Sequence, residues 1–399
     1  MARLTPVVGI LVILLAAFLL SKHRKAIAWR TVAWGLGLQF ALALIVLRTR
    51  AGFWLLEKLS AGVVTVLNCS FAGSSFVFGK LGERGGSLGT VFAFQALPMI
   101  IFVASLFSIL YYLRVIPTLV LWTGKAMLKL MGTSGAESLE VAASIMMGQT
   151  EAPLVIRPFL EHLTESELMT VMTAGMAHIA GSVFGAYVLF GAEARHLLTA
   201  VVMTAPGTIL LSKMLIPELG QPKTAGKVEI VDEHKPVNLL DAASRGATDG
   251  LHLALNVGAM LVAFVALIYL ANLILGVVHV DLQTLFGYTL APVAWILGVP
   301  WQDAAAVGNL MGTKLVLNEF VAFTMLGPLK GHIAARSFTI ATYTLCGFAN
   351  FSSIGIQIGG IGALAPSRKQ DLARLGIRAL LAGTMANYLA AAIAGLLLP

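Results

Sequence analysis

Long apolar stretches alternate with short polar ones along the chain, and this pattern is typical of a protein that crosses a membrane several times. A run of roughly 20 apolar residues is long enough to span the hydrocarbon core as a helix. Such runs occur over residues 6–20, 31–47, 91–113, 168–190, 196–217, 250–277, 333–360 and 377–398. The pattern therefore predicts an all-α polytopic membrane protein with eight transmembrane helices.

Two long segments, 114–165 and 281–330, contain apolar stretches that are too short to cross. Glycine and polar residues interrupt each segment, at Gly148-Gln149-Thr150 in the first and over 308–314 in the second. Non-helical backbone persists at membrane depth only where it is buried in protein or lines a wet cavity. The interruptions therefore predict two re-entrant hairpins.

Amphipathic stretches lie next to these segments and near the N-terminus. Residues 117–131 and 282–290 introduce the two hairpins, and residues 53–67 combine apolar and polar side chains at helical spacing. For 53–67 we predict a helix that lies in the plane of the membrane interface, with a simple loop helix as the alternative.

The composition agrees with a membrane protein. Hydrophobic residues make up 58% of the 399 residues, charged residues only 12%, and the mean hydropathy is +0.87, whereas soluble domains are about a quarter charged. The net charge of +8 does not indicate a nucleic-acid partner, because the basic residues are spread over short loops. Membrane topology explains such a distribution better.

The distribution of Lys and Arg also predicts the orientation. With the N-terminus outside, eight crossings and two returning hairpins place 17 of the 27 Lys and Arg residues in cytoplasmic segments and nine in outer segments. Because positive residues concentrate on the cytoplasmic side, we expect both termini on the outer side of the cell inner (plasma) membrane. The hairpins then enter from opposite sides, which indicates an inverted repeat.

Candidate chemistry lies in the run Met147-Gly148-Gln149-Thr150-Glu151-Ala152-Pro153 of the first hairpin. An ionisable residue at membrane depth marks a substrate, ion or proton pathway by default. The second half matches this content, since Glu151 is followed 31 residues later by Ser182 and Glu319 is followed 34 residues later by Ser353. Small and polar residues surround both serines and let a helix unwind or approach another closely.

Three motifs resemble the signatures of the concentrative nucleoside transporter family. They are Gly148-Gln149-Thr150-Glu151-Ala152-Pro153-Leu154 with Ile156-Arg157-Pro158, Asn318-Glu319-Phe320-Val321-Ala322, and Phe348-Ala349-Asn350-Phe351-Ser352-Ser353-Ile354-Gly355. Their order and spacing are those of the family, and the resemblance covers essentially the whole chain. It implies a homotrimer of eight-helix protomers, in which a transport domain with both hairpins moves like an elevator against a scaffold domain.

The resemblance implies a division of the chain. Residues 1–113 would form N-terminal scaffold helices with the interfacial helix, 114–217 the first hairpin and first half of the transport domain, 218–248 a cytoplasmic linker, 249–280 a scaffold helix, and 281–399 the second hairpin and second half of the transport domain.

The resemblance also implies residue roles. The residues that would address the nucleobase or pack against it are Gln149, Thr150, Glu151 and Val183. The residues that would address the ribose hydroxyls are Glu319, Asn350 and Ser353, and Phe348 would lie beside the ligand and cation positions. The chemistry agrees, because a carboxylate can accept from two vicinal hydroxyls while Asn and Ser donate and accept around it. No cofactor is expected.

The coupling ion is less clearly defined by the motifs. The family's sodium site uses an Asn and a Ser side chain, and the matching positions here are Ser144 and His178. A hard cation wants oxygen ligands, so this departure favours proton coupling, as in some bacterial members, with sodium as the alternative. Buried carboxylates and histidines can exchange protons near the working pH. The candidate coupling residues are Glu151, which is the first choice, His178, Ser144 and Met147.

Two other classes of function were weighed against nucleoside symport. An intramembrane hydrolase could use Ser182 with His178, but the sequence has no nucleophile-elbow or zinc-protease motif, and two matched hairpins have no role there. A carrier of amino acids or dicarboxylates would present Arg or a helix N-terminus to a carboxylate, whereas the central side chains here are acidic or amide. We therefore expect a nucleoside transporter and not an enzyme.

Overall fold

The computed structural model describes residues 4–84, 91–226, 236–278 and 280–398, most of which are helical. The α-helices are α1 (Thr5–Leu19), α2 (Trp29–Arg48), α3 (Arg50–Asn68), α4 (Ser70–Phe78), α5 (Phe92–Tyr112), α6 (Val115–Met131), α7 (Gly135–Ser144), α8 (Glu165–Ala177), α9 (Gly181–Leu189), α10 (Ala194–Leu215), α11 (Leu239–Leu275), α12 (Leu282–Ile296), α13 (Trp301–Val316), α14 (Glu319–Leu326), α15 (Ala335–Leu345), α16 (Phe351–Leu364) and α17 (Lys369–Leu397). Within the described ranges, the only sheet-type pairing is an isolated bridge between Lys330 and Ile333. The predicted all-α class is confirmed.

Seven helical stretches of the described chain are long and apolar enough to cross a membrane, judged by length and composition. They are 29–48, 50–81, 92–112, 165–189, 194–215, 239–275 and 366–397. Six of them coincide with predicted crossings. The predicted crossings at 6–20 and 333–360 correspond to the short helix α1 and to the broken pair α15 and α16. The stretch 50–81 contains α3, whose placement in the interface stays a prediction.

The first hairpin forms where the sequence predicts it. Helix α7 begins with a capping box, in which the Ser134 hydroxyl accepts from the Glu137 amide and the Glu137 carboxylate accepts from the Ser134 amide. Glu137 also forms a buried ion pair with Lys213 of α10 at 2.8 Å, which attaches the base of the hairpin to the bundle. After Ser144 the chain turns through the predicted interruption and returns as a 3₁₀ helix over Ala152–His162.

The second hairpin breaks later than predicted. The expected interruption over 308–314 lies inside the continuous helix α13, and the break falls at Leu317 and Asn318, so this part of the prediction was wrong. The glycines there serve close packing: a Cβ on Gly308 would meet the backbone of α12, and a Cβ on Gly312 would meet the ring of Phe286. Helices α12 and α13 are bent by 116° relative to one another.

Two helix pairs are each divided by a non-helical break. Residues 178–180 separate α8 from α9, and residues 346–350 separate α15 from α16. The two breaks are directly connected, because the Phe348 amide donates to the His178 carbonyl at 3.2 Å. The predicted linker over 218–248 ends within α11, and its residues 227–235 lie outside the described part.

Helix α17 holds both breaks through one side chain. The fully buried Asn387 amide donates to the carbonyls of Ala177 at 2.7 Å and Cys346 at 3.0 Å. The Asn387 side-chain oxygen accepts from the ammonium of Lys314 at 2.7 Å, and Lys314 also donates to the Thr344 carbonyl at 2.8 Å. Lys314 thus caps the C-terminal end of α15.

Candidate functional site

A cavity of about 370 Å³ lies where the two hairpin tips and the two breaks meet. We call it the central cavity. Its lining includes all eight residues that the sequence assigned to substrate: Gln149, Thr150, Glu151, Val183, Glu319, Phe348, Asn350 and Ser353. Helix α11 contributes Asn256, Val257 and Met260 to the opposite wall. The volume lies in the usual range of small-molecule sites.

The ribose side of the prediction converges on the Glu319 carboxylate at the start of α14. Glu319 is buried, one of its oxygens accepts from the Tyr187 hydroxyl at 3.0 Å, and the other accepts from the Asn350 side-chain amide at 3.2 Å. Asn350 also caps α16, because its side-chain oxygen accepts from the Ser353 amide at 2.9 Å. The non-helical break therefore places Asn350 and Ser353 together beside Glu319.

The nucleobase side of the prediction lies at the first hairpin tip. The Gln149 amide donates to the Ser353 hydroxyl at 3.2 Å, so the two predicted ends of the site are in contact. Gln149 accepts in turn from the side-chain amide of Gln357 at 3.3 Å. The Glu151 carboxylate folds back onto its own tip, where it accepts from the Gly148 amide at 3.1 Å.

Glu151 also borders a second cavity, of about 500 Å³, which we call the vestibule. The vestibule extends from the first hairpin tip towards Pro236 in the linker, between α5 and α11. Its charged lining residues are Glu151, Arg157, Arg245 and Asp249. Glu151 thus lies between the two cavities, and Met147 lines the vestibule rather than the central cavity.

The two positions that depart from the sodium pattern are both buried. The Ser144 hydroxyl donates to the carboxylate of Glu140 at 3.0 Å, and Glu140 is fully buried. The second oxygen of Glu140 has no hydrogen-bond partner among the described residues. The His178 ring donates through Nδ1 to the Ala174 carbonyl at 3.0 Å, while its Nε2 has no partner in the described ranges.

Sequence reasoning missed three buried residues at the site: Glu140, Tyr187 and Gln357. Each contacts a predicted residue, but the partners of Tyr187 and Gln357 lie 132 and 208 positions away. The sequence offered one signal for Glu140, which is its position one helical turn before Ser144.

Models of known protein families match this chain in three consecutive parts. A model described as Na⁺ dependent nucleoside transporter N-terminus matches residues 8–81, a nucleoside recognition gate model matches 93–194, and Na⁺ dependent nucleoside transporter C-terminus matches 196–395. The chain belongs to the concentrative nucleoside transporter family. It is a multi-pass membrane protein of a family of transporters and not of enzymes, as the sequence predicted.

Individual relatives cover the chain almost end to end. An uncharacterized transporter of Bacillus subtilis, YutK, is 44% identical over 97% of this chain and 98% of its own length. The sodium/nucleoside cotransporter 1 of Rattus norvegicus is 41% identical over 99% of this chain, which spans 64% of that longer relative. A solved structure of CNTnw in an inward-facing substrate-bound state is 42% identical, with a TM-score of 0.95 over 100% of this chain and 98% of that one.

Proposed function

We propose that this protein imports nucleosides across the cell inner membrane by symport with a cation. The observation that carries the proposal is the lining of the central cavity, where two hairpin tips and two helix breaks gather carboxylate, amide and hydroxyl groups. None of its described lining residues is Lys, Arg or His. The lining does contain two carboxylates, Glu151 and Glu319, which would repel a negatively charged ligand. Such a lining favours a neutral polyhydroxylated ligand over an amino acid or dicarboxylate.

The proposed roles follow the two sides of the cavity. Gln149, Thr150 and Glu151 bind the nucleobase, and Val183 packs against it. Glu319, Asn350 and Ser353 bind the ribose hydroxyls, and Phe348 lies beside them. The contact of Glu319 with Asn350 supports the ribose role, because a carboxylate whose orientation is fixed can accept from two vicinal hydroxyls.

Protons are the proposed coupling ion, and sodium is the alternative. Two observations support protons: the Ser144 hydroxyl is already engaged by Glu140, and the other matching position offers the ring of His178 instead of an oxygen ligand. The matching family models and the rat relative carry sodium in their names, which supports the alternative. Glu151 is the first candidate for the proton carrier, and His178, Ser144 and Met147 complete the set.

The test is uptake of radiolabelled uridine into proteoliposomes under a proton gradient or a sodium gradient, with wild type and Glu151→Gln. Uptake driven by protons and lost in Glu151→Gln is the expected result. Uptake driven by sodium alone would overturn proton coupling but keep nucleoside symport. Uptake under neither gradient would overturn the nucleoside substrate.

The proposed mechanism is an elevator-type alternation of access, with the domain division predicted from the sequence. In this division the vestibule lies on the cytoplasmic side, between the transport domain and the scaffold helices α5 and α11, and we infer that it is the release route. The proposed homotrimer rests on the family resemblance. The exposed apolar side chains of α11, among them Val262 and Tyr269, would face lipid or another subunit. A particle mass of one or two chains in lipid nanodiscs would contradict the trimer.

A further inference from the structure

Two buried side chains occupy equivalent places in the two halves of the molecule. Tyr187 is the seventh residue of α9, and Gln357 is the seventh residue of α16, the helices that follow the two breaks. Both side chains are fully buried, and neither lines the central cavity. Each nevertheless contacts a predicted substrate residue on a hairpin of the opposite half.

Tyr187 fixes the orientation of the Glu319 carboxylate. Its hydroxyl donates to one carboxylate oxygen at 3.0 Å, and its ring is stacked on Phe323 and packs edge-on against Phe320, with centroid distances of 4.4 and 5.0 Å. A ring held on two sides gives the hydroxyl little freedom. Since Asn350 holds the other oxygen, the remaining lone pairs of Glu319 have a defined direction.

Gln357 has the corresponding effect on Gln149. Its side-chain amide donates to the Gln149 oxygen at 3.3 Å and to the Met172 carbonyl at 3.0 Å. A Cβ on Gly175 would meet both Gln357 and Gln149, so a glycine at this point of α8 makes room for the pair. Because the Gln149 oxygen accepts from Gln357, its own amide group is directed to Ser353 and the cavity.

We propose that Tyr187 and Gln357 are reciprocal positioning residues. The broken helix of the first half orients the hydroxyl-binding carboxylate on the second hairpin, and the broken helix of the second half orients the base-binding amide on the first hairpin. The inference rests on the proposed nucleoside function and deepens it. It predicts that discrimination of the sugar hydroxyls and discrimination of the base change separately, each through one buried side chain.

The test uses the purified full-length protein in proteoliposomes, with Tyr187→Phe and Gln357→Leu as variants. Uptake of radiolabelled uridine is measured in competition with unlabelled uridine and with three analogues. The analogue 2′,3′-dideoxyuridine lacks both ribose hydroxyls that Glu319 would bind. The analogues 3-deazauridine and 4-thiouridine have altered base edges. Matched controls are Tyr343→Phe, a second fully buried tyrosine that makes no described bond to Glu319, and Gln39→Leu, a fully buried glutamine that bonds Met203 outside the site.

In Tyr187→Phe, the preference for uridine over the dideoxy analogue should fall about five- to tenfold, because one hydrogen bond that orients the carboxylate is lost. The preference over the two base analogues should stay within about twofold.

In Gln357→Leu the preference for uridine over a base analogue should fall by a similar factor, while the preference for uridine over the dideoxy analogue stays unchanged. Gln357→Met, which keeps the approximate length of the side chain but has no donor, should repeat the base effect.

A general loss of packing would weaken all competitors together, so an equal shift of all ratios overturns the inference. A shift of the base ratios in Tyr187→Phe, or of the hydroxyl ratio in Gln357→Leu, overturns it as well. If wild type takes up no uridine, the nucleoside function fails and the inference fails with it. Wild-type uptake with unshifted ratios in both variants overturns only the reciprocal positioning.

Discussion

At the scale of single residues, the acidic side chains around the site differ in the hydrogen bonds that their carboxylate oxygens accept. Glu319 has both oxygens engaged by protein donors, Glu151 accepts from its own tip, and Glu140 has one oxygen without a described partner. Glu140 and Glu319 are buried and form no ion pair among the described residues, whereas Glu151 is exposed to the two cavities. A buried carboxylate that is not in an ion pair is costly, so we expect a functional reason for Glu140 and Glu319.

Replacement of Glu319 tests its role as acceptor for the ribose. In Glu319→Gln one acceptor oxygen becomes a donor, and hydrogen bonds to a charged group are worth about 1.5–3 kcal/mol. We expect the KM for uridine to rise about 10- to 100-fold, with a smaller change for 2′,3′-dideoxyuridine. Kinetics of uptake into proteoliposomes measure both. Glu57→Gln on the exposed face of α3 is the control, and equal changes for both nucleosides would contradict the ribose role.

Replacement of Glu140 tests its contact with the coupling position Ser144. The Glu140→Gln amide still accepts from the Ser144 hydroxyl but carries no charge. If this pair takes part in coupling, gradient-driven accumulation of uridine should fall about tenfold or more, while uridine exchange without a gradient stays within about twofold. The exposed Glu161→Gln of the same hairpin should leave both unchanged. Undiminished accumulation in Glu140→Gln would show that the pair is only structural.

The sequence identified the residues that line the cavity because they form contiguous motifs around helix breaks. Gln149, Glu319 and Asn350 are polar residues at breaks in an apolar chain, and this contrast is visible locally. Tyr187 and Gln357 lie inside helices, and they become part of the site only through contacts with distant partners. No local pattern shows such a pairing.

At the scale of helices and hairpins, composition predicted which segments contain irregular backbone, but it did not always predict the residue at which the helix breaks. The first hairpin tip and both divided helices lie at the predicted positions. The second tip does not, because glycine serves two purposes: it interrupts a helix, and it lets two helices approach. In α13 the second purpose applies, since Gly308 and Gly312 face α12, and the break follows at Asn318, which caps α14.

Asn387 joins three helices through its buried hydrogen bonds, so its replacement should lower the stability of the fold. In Asn387→Leu the Ala177 and Cys346 carbonyls lose their buried donor, and Lys314 loses an acceptor. Each unsatisfied buried group costs about 1–3 kcal/mol, so we expect an apparent melting temperature in detergent lower by about 5 °C or more. Thr384→Val, one turn earlier on α17 and without a described partner for its hydroxyl, should change it little. Equal melting temperatures of wild type and Asn387→Leu would contradict the stabilising role of Asn387.

At the scale of the whole molecule, the orientation in the membrane rests on charge counts alone. With both termini outside, residue 58 of α3 is exterior and residue 223 of the linker is cytoplasmic. In a background of Cys69→Ala and Cys346→Ala, a membrane-impermeant maleimide should label Lys58→Cys but not Lys223→Cys in intact cells, and the reverse in inside-out vesicles. Labelling of Lys223→Cys from outside would invert the proposed topology.

The bonds between the two helix breaks have a further consequence. The His178 carbonyl is bonded to the Phe348 amide, and Asn387 holds the ends of α8 and α15 together. The groups proposed to bind the base and those proposed to bind the sugar are therefore held at a fixed separation. A homonucleoside, in which one methylene is inserted between base and sugar, would have to leave one end unsatisfied. The protein should therefore select its ligands by length as well as by hydrogen bonding.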